Sequence, residues 1–193
     1  MTETTEGWTE EEALLSEHIL KAGDTMQVMY PNNDNTLYHG LDLTLHGAEL
    51  YGSLEEAGFD KTQVREETEN YDRSGDPQWC SVDGARVLVC DLTVKNLDEE
   101  SDGDLHMGEF MIAYADPVTR KVTIISCDPV YFSASSSQLE ASDYFHYQLL
   151  CGESKDMKTA WLIQDGYEAE NLYLCVTYDV KDVEEREYFR LIE

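Results

Sequence analysis

The sequence predicts an all-β fold: a sandwich of about seven to nine short strands preceded by a short N-terminal helix. Three observations predict it. From residue 86 onward, alternating apolar runs recur at 86–96 (RVLVCDLTVKN), 109–115 (EFMIAYA), 121–126 (KVTIIS), 144–150 (YFHYQLL), 159–164 (TAWLIQ), 171–180 (NLYLCVTYDV) and 187–192 (EYFRLI). Each run is followed by a turn signal or an acidic cluster, and alternation with a period of two lines one face of a strand. Tyrosines outnumber phenylalanines twelve to five, which favours half-exposed strand positions. At 193 residues the chain is long enough for one domain with a sizeable core.

Taken in order, residues 1–9 are acidic and threonine-rich and are expected to form a disordered tether. Thr9 and Glu12 make a capping-box pattern ahead of Ala13, Leu14, Leu15, Ile19 and Leu20, and Gly23 is a stop. A helix over 10–22 is therefore expected, within a 10–40 segment of helix and linker, and the sandwich is expected to occupy 41–193. Residues 31–35 (PNNDN) read as a turn. The 41–51 strand keeps Leu41, Leu43 and Leu45 on one face and resumes with Ala48 and Leu50, so a β-bulge is expected at Gly47. Ser53 and Glu56 suggest a second capping box opening one helical turn that Gly58 ends. Residues 60–79 lack periodicity and read as a long loop. Residues 116–120 (DPVTR) read as a hairpin turn, and 134–137 (ASSS) as a loop.

A formal net charge of −28 disfavours nucleic acid and anionic membrane surfaces as partners, because phosphates would be repelled. The acids gather in 1–12, 65–72, 98–104 and 182–187, between or outside the predicted strands, where they solvate loops. Adaptation to high salt and mimicry of DNA are the competing accounts. No apolar run reaches the length of a membrane span.

Cys80, Cys90, Cys127, Cys151 and Cys175 form no C-x-x-C pair and no zinc spacing, and their odd number leaves a free thiol. Cys90 alternates with the core face of its strand, whereas Cys175 lies opposite Leu172, Leu174, Val176 and Tyr178. A disulfide across the sandwich between these two is therefore not expected.

Sites are sparse, and no catalytic residue is predicted. His18, His39, His46, His106 and His146 accompany no G-x-S-x-G or H-E-x-x-H motif, and no phosphate-cradling glycine loop occurs. Residues 98–109 (DEESDGDLHMGE) come nearest to a metal loop. With Asp98 as position 1, Glu100, Asp102 and Glu109 fall at 3, 5 and 12 of an EF-hand-type calcium loop, Gly103 falls at 6, and Asp104 adds a fifth carboxylate. The glutamate at position 3 and the strand-like flanks oppose that reading, so an acidic β-connection and no cofactor are expected. Trp161 alternates with Met157, Thr159 and Ile163 and is expected in the core. Trp79, after Pro77, is either an exposed binding anchor or a lid on the core.

Taken together, 87–96 (VLVCDLTVKN), 128–133 (DPVYFS), 149–155 (LLCGESK) and 171–174 (NLYL) resemble the telokin-like, immunoglobulin-type domains of lipoproteins and secreted proteins of Gram-positive bacteria, actinobacteria included. The resemblance covers roughly 41–192. It implies an immunoglobulin-like sandwich held outside the cytoplasmic membrane by an N-terminal lipid anchor, and it implies no known activity. The chain carries no signal peptide or lipid-bearing cysteine, so either Met1 replaces them or the protein is cytosolic. The expected role is a non-enzymatic, monomeric recognition or accessory module for an unidentified protein or cell-surface ligand, with loops 60–79 and 97–108 presented from a rigid scaffold. The alternative is an acidic cytosolic decoy or inhibitor that binds a basic protein.

Overall fold

The computed structural model describes residues 18–34, 36–106, 109–119, 121–135, 146–176 and 186–192. Within them the chain forms fourteen strands: β1 (Ile19–Leu20), β2 (Thr25–Pro31), β3 (Leu37–Tyr51), β4 (Glu67–Tyr71), β5 (Pro77–Ser81), β6 (Arg86–Asn96), β7 (Asp104–His106), β8 (Phe110–Ala115), β9 (Val122–Ser126), β10 (Tyr131–Phe132), β11 (His146–Gln148), β12 (Ser154–Ile163), β13 (Leu172–Val176) and β14 (Tyr188–Arg190). One sheet runs β1-β14-β13-β8-β9-β4-β5, a second runs β10-β12-β6-β3-β2, and β11 pairs with β7 in a small ribbon. The fold is an all-β sandwich. Its count exceeds seven to nine because five strands have only two or three residues and the acidic stretch before residue 80 adds a hairpin.

The core follows the alternation. Leu43 and Leu45 of β3, Leu88, Leu92 and Val94 of β6 and Trp161 and Ile163 of β12 pack in one cluster with Phe110, Ile112, Leu172 and Leu174 of the other sheet. The VLV run of β6 is buried on both faces. Val87 and Val89 join Ala160 and Leu162 in a second cluster, which Leu54, Val64 and Val82 complete. A strand covered on both sides reads as a continuous apolar run, and this one does.

Two buried asparagines tie loops and sheets together. Asn70 of β4 donates from Nδ2 to the Leu162 carbonyl of the opposite sheet at 2.8 Å, and its Oδ1 accepts from the Thr68 and Ser126 hydroxyls. Asn96, the last residue of V-K-N, donates to the Leu149 carbonyl at 2.8 Å and accepts from the Asp98 amide at 2.9 Å. Its main chain closes onto Gly152 and Glu153, so the end of the 87–96 run and the 149–155 turn are two halves of one joint.

Several expectations meet the structure directly. Pairing of β3 with β6 slips between Leu45 and Gly47, leaving His46 as the extra residue of a bulge. The Ser53 hydroxyl accepts from the Glu56 amide, the Glu56 carboxylate accepts from the Gly52 amide, and Gly58 ends the turn at φ +79°. Asp116 accepts the Val118 and Thr119 amides in the β8–β9 hairpin. The five cysteines are all free; Cys90 is buried in the core, and Cys175 is buried on the opposite face of β13, with Ala113, Val122 and Tyr173.

Other expectations are corrected. The helix over 10–22 is not supported: Ile19 and Leu20 form β1, paired in parallel with Tyr188 and Phe189, and the tether and residues 10–17 lie outside the described residues. Sheet pairing outweighs a weak local helix preference at the end of the segment. The sandwich does not begin at 41, since β2 and the start of β3 are paired strands. Residues 60–79 are not a structureless loop. Asp60 caps a short 3-10 turn at Lys61–Gln63, and β4 and β5 form a regular antiparallel hairpin. The hairpin escaped notice because its buried positions in β4 are Thr68 and Asn70, polar residues that produce no hydrophobic alternation.

Candidate functional site

β5 is the edge strand of the larger sheet. Main-chain bonds between Asp72 and Asp76 and between Val82 and Glu66 fix the phase of the β4–β5 ladder, with hydrogen-bonded pairs at even positions of β4. Trp79 opposite Glu69, and Ser81 opposite Glu67, are then the non-bonded pairs. Their N–H and C=O groups point away from β4, and among the described residues no strand pairs with that side of β5. Trp79 is 65% exposed, whereas Trp161 is fully buried. Trp79 is thus no lid on the core. It stands on the outer face of the hairpin beside Glu69.

At the turn end of the same hairpin lies an open depression of about 380 Å³, lined by Asp72, Arg73, Gln78, Gln164, Asp165 and Tyr167 among others. Arg73 is its fixed centre. Its guanidinium lies 5.0 Å from the Tyr114 ring centroid and 5.5 Å from that of Tyr167, donates to the Gly166 carbonyl and pairs with Glu168 at 3.5 Å. The Tyr114 hydroxyl donates to Glu168; burial, then this bond, pushes its pKa up to about 12. Arg86 donates to the Gln164 and Tyr167 carbonyls at 3.1 and 2.7 Å and so holds the far wall. Arg86 also pairs with Asp165 at 3.8 Å, and one oxygen of Asp72 accepts the Ser74 and Asp76 amides, so the opening carries both Arg73 and two aspartates with local partners.

The candidate calcium ligands of the 98–109 segment bond in separate places. Asp98 accepts from the Tyr38 hydroxyl at 2.9 Å and from the Glu100 amide, Asp102 accepts the Asp104 amide, and Asp104 faces His146 Nδ1 at 3.0 Å. Glu109 accepts from the Tyr30 hydroxyl at 2.8 Å, and burial raises its pKa above the ordinary value. Gly103 does take the left-handed conformation, φ +86°, that the glycine position suggests. Among the described residues no group of three or more His, Cys, Asp or Glu side chains is placed to hold a metal ion.

Four of the histidines have local partners. His39 pairs with Asp42 at 2.7 Å, His46 meets the Thr93 hydroxyl at 2.6 Å, and His106 packs edge-on against His146. Burial pushes the thiols of Cys80 and Cys127 up to about 11 and that of Cys175 up to about 12, and it raises that of Cys90 as well. Thiols held protonated at neutral pH are poor nucleophiles. Sequence reasoning named Trp79 but missed its edge strand and the Arg73–Tyr114–Tyr167 stack, whose members come from three distant segments.

With this geometry in place, comparison with known proteins assigns a family. The model of a domain of unknown function, DUF5027, matches residues 34–192. The chain belongs to this family. The matched span covers β3 to β14 whole, so the DUF5027 region contains the hairpin, the depression and both asparagine joints. The chain is also similar to the yjhA protein from Bacillus subtilis, known from a crystal structure, at 15% identity and a TM-score of 0.44 over 89% of this chain and 98% of that one. No curated protein matches the chain. Among the described residues no helix is long and apolar enough to cross a membrane.

Proposed function

We propose that this DUF5027 protein is a non-enzymatic recognition or accessory module acting outside the cytoplasmic membrane, and that its contact face is the β4–β5 hairpin. The observation that carries the reading is Trp79: a large aromatic left two-thirds exposed on a sheet edge that no described strand pairs with. Tryptophan is the side chain most enriched where binding energy concentrates, and exposing one in water is unfavourable unless something covers it. The raised thiol pKa values and the locally partnered histidines support an absence of catalysis. The extracytoplasmic placement rests on the resemblance to telokin-like lipoprotein domains, with a lipid anchor as the tether.

Two measurements test this. Protease and antibody access on intact cells of the source organism reads the location; a protein shielded until lysis would overturn it. Binding of purified wild type and Trp79→Ala to cell-envelope fractions reads the contact face, with at least tenfold less retention expected for the variant and no turnover of ester, peptide or glycoside substrates. The second reading, an acidic decoy for a basic protein in the cytosol, is favoured by the net charge of −28 and would gain from shielding on intact cells.

A further inference from the structure

We infer that the β5 edge takes an extended, basic segment of a partner protein as an added strand, with Trp79 and Glu69 receiving one of its cationic side chains. The inference rests on the recognition reading above and names its partner class. Pairing groups are present and correctly phased: Trp79 and Ser81 direct their N–H and C=O outward, and Pro77, which lacks an N–H, ends the donor row at the strand's start. Alternate side chains of an added strand would stand on the two faces of the hairpin. On the outer face Trp79 lies beside Glu69, with Glu67 one pair further along, so a lysine or arginine there finds an aromatic face and carboxylates together. On the opposite face Gln78 opens onto the depression, whose lining holds Arg73 as well as Asp72 and Asp165 and which favours polar rather than cationic side chains.

Charge selects the occupant. An unprotected edge strand invites pairing with any chain, including a second copy of the same one. A second copy would bring another −28 to an edge bordered by Glu66, Glu67, Glu69 and Asp76 of its own hairpin, with Asp83 paired to Lys61, and repulsion disfavours that pairing. A basic strand meets the same field as attraction. Of the remaining edges, β1 and β10 have two residues each, β7 and β11 of the small ribbon have three each, and β2 exposes Thr25, Gln27 and Pro31 with no aromatic anchor.

The probe is a capped peptide of alternating lysine and valine, seven residues long, titrated into the full chain carrying Trp8→Phe so that emission changes report Trp79. A blue shift of that emission is expected, with slowed exchange of the Trp79 and Ser81 amides and at least fivefold weaker binding to Trp79→Ala. Val118→Ala, on the exposed β8–β9 turn, should bind as the parent does. Two N-methylated peptides decide the mode, one blocked on every lysine amide and one on every valine amide. Strand addition uses one edge of the peptide, so one version should lose binding and the other keep it. Equal binding by both, or unchanged amide exchange in the bound state, would show attraction by charge alone and overturn the inference. If no peptide binds but an envelope ligand still shifts Trp79 emission, strand addition fails and the recognition reading stands. If neither shifts it, both fail.

Discussion

Glu109 is a carboxyl held among tyrosines: Tyr30 donates to it, and Tyr147 lies near enough for its own ionisation to be suppressed by the same charge. Its pKa is raised first by burial, and the Tyr30 bond offsets part of the shift. A raised native pKa means the folded state holds the proton more tightly than the unfolded chain. The stability that follows is whole below the ordinary glutamate value of 4.5 and is lost as pH climbs through the raised native value. Glu109→Gln keeps an acceptor for Tyr30 and removes the titration. We expect it to unfold at higher urea than wild type at neutral pH, with the gap closing as pH falls toward that ordinary value. A gap that widened in acid would reverse the sign and refute the account. Asn70 offers a second test. Alanine there strands the Leu162 carbonyl and the Thr68 and Ser126 hydroxyls in the interior, and the loss should be about 1–3 kcal/mol by urea titration. A cost within error of zero would mean that water replaces the amide.

Strand geometry makes its own demands, and they fall on two glycines of β3. Gly40 sits at the register slip between β2 and β3, beneath the Tyr30 ring; a β-carbon there would overlap Tyr30 Cδ2 and lie 2.9 Å from Cε2. Gly40→Ala must push the ring aside and with it the bond to Glu109, so a loss of about 1–3 kcal/mol is expected from overpacking. Gly47, at the bulge, has open space where its β-carbon would be and no left-handed backbone. Gly47→Ala should therefore be neutral, or stabilise by about 0.4–1 kcal/mol through a less free unfolded chain. Thermal melts of the two variants separate these outcomes, and equal losses would count against the packing argument. The β4–β5 hairpin differs again. It is paired on one side only beyond β4, and its Trp79 should be readily quenched by acrylamide while Trp161 is not.

At the scale of the whole molecule, electrostatics dominates. A net charge of −28 on one sandwich repels itself, so added sodium chloride should raise the melting temperature, and the protein should sediment as a monomer in dilute buffer. A melting temperature that stays flat or falls with salt would contradict this. Calcium is the sharper test of whether the charge is organised. The carboxylates of the 98–109 loop are occupied by Tyr38, His146, Tyr30 and loop amides in separate places. Calorimetry should then find no site tighter than the millimolar range. A stoichiometric micromolar isotherm abolished by Asp98→Ala would show that the loop rearranges around the ion.

Much of the scaffold is legible from residues alone, because alternation is a local signature of a strand with one buried face. β6 runs over the 86–96 run residue for residue, the slip at Leu45–Gly47 is visible in the apolar phase, and Trp161 and Cys90 lie on the faces that alternation assigns. The same logic fails where burial is polar or pairing is distant. β4 buries Thr68 and Asn70, whose partners Ser126 and the Leu162 carbonyl lie on other strands, so nothing within 60–79 marks it as sheet. β1 is two residues that become a strand only because Tyr188 and Phe189 arrive beside them. The candidate site divides the same way. Composition and sequence single out Trp79 and the acidic balance. Which side of Trp79 faces water, and that Arg73, Tyr114 and Tyr167 stack together at the turn end of its hairpin, depends on contacts between segments far apart in the chain, and only the tertiary structure decides those.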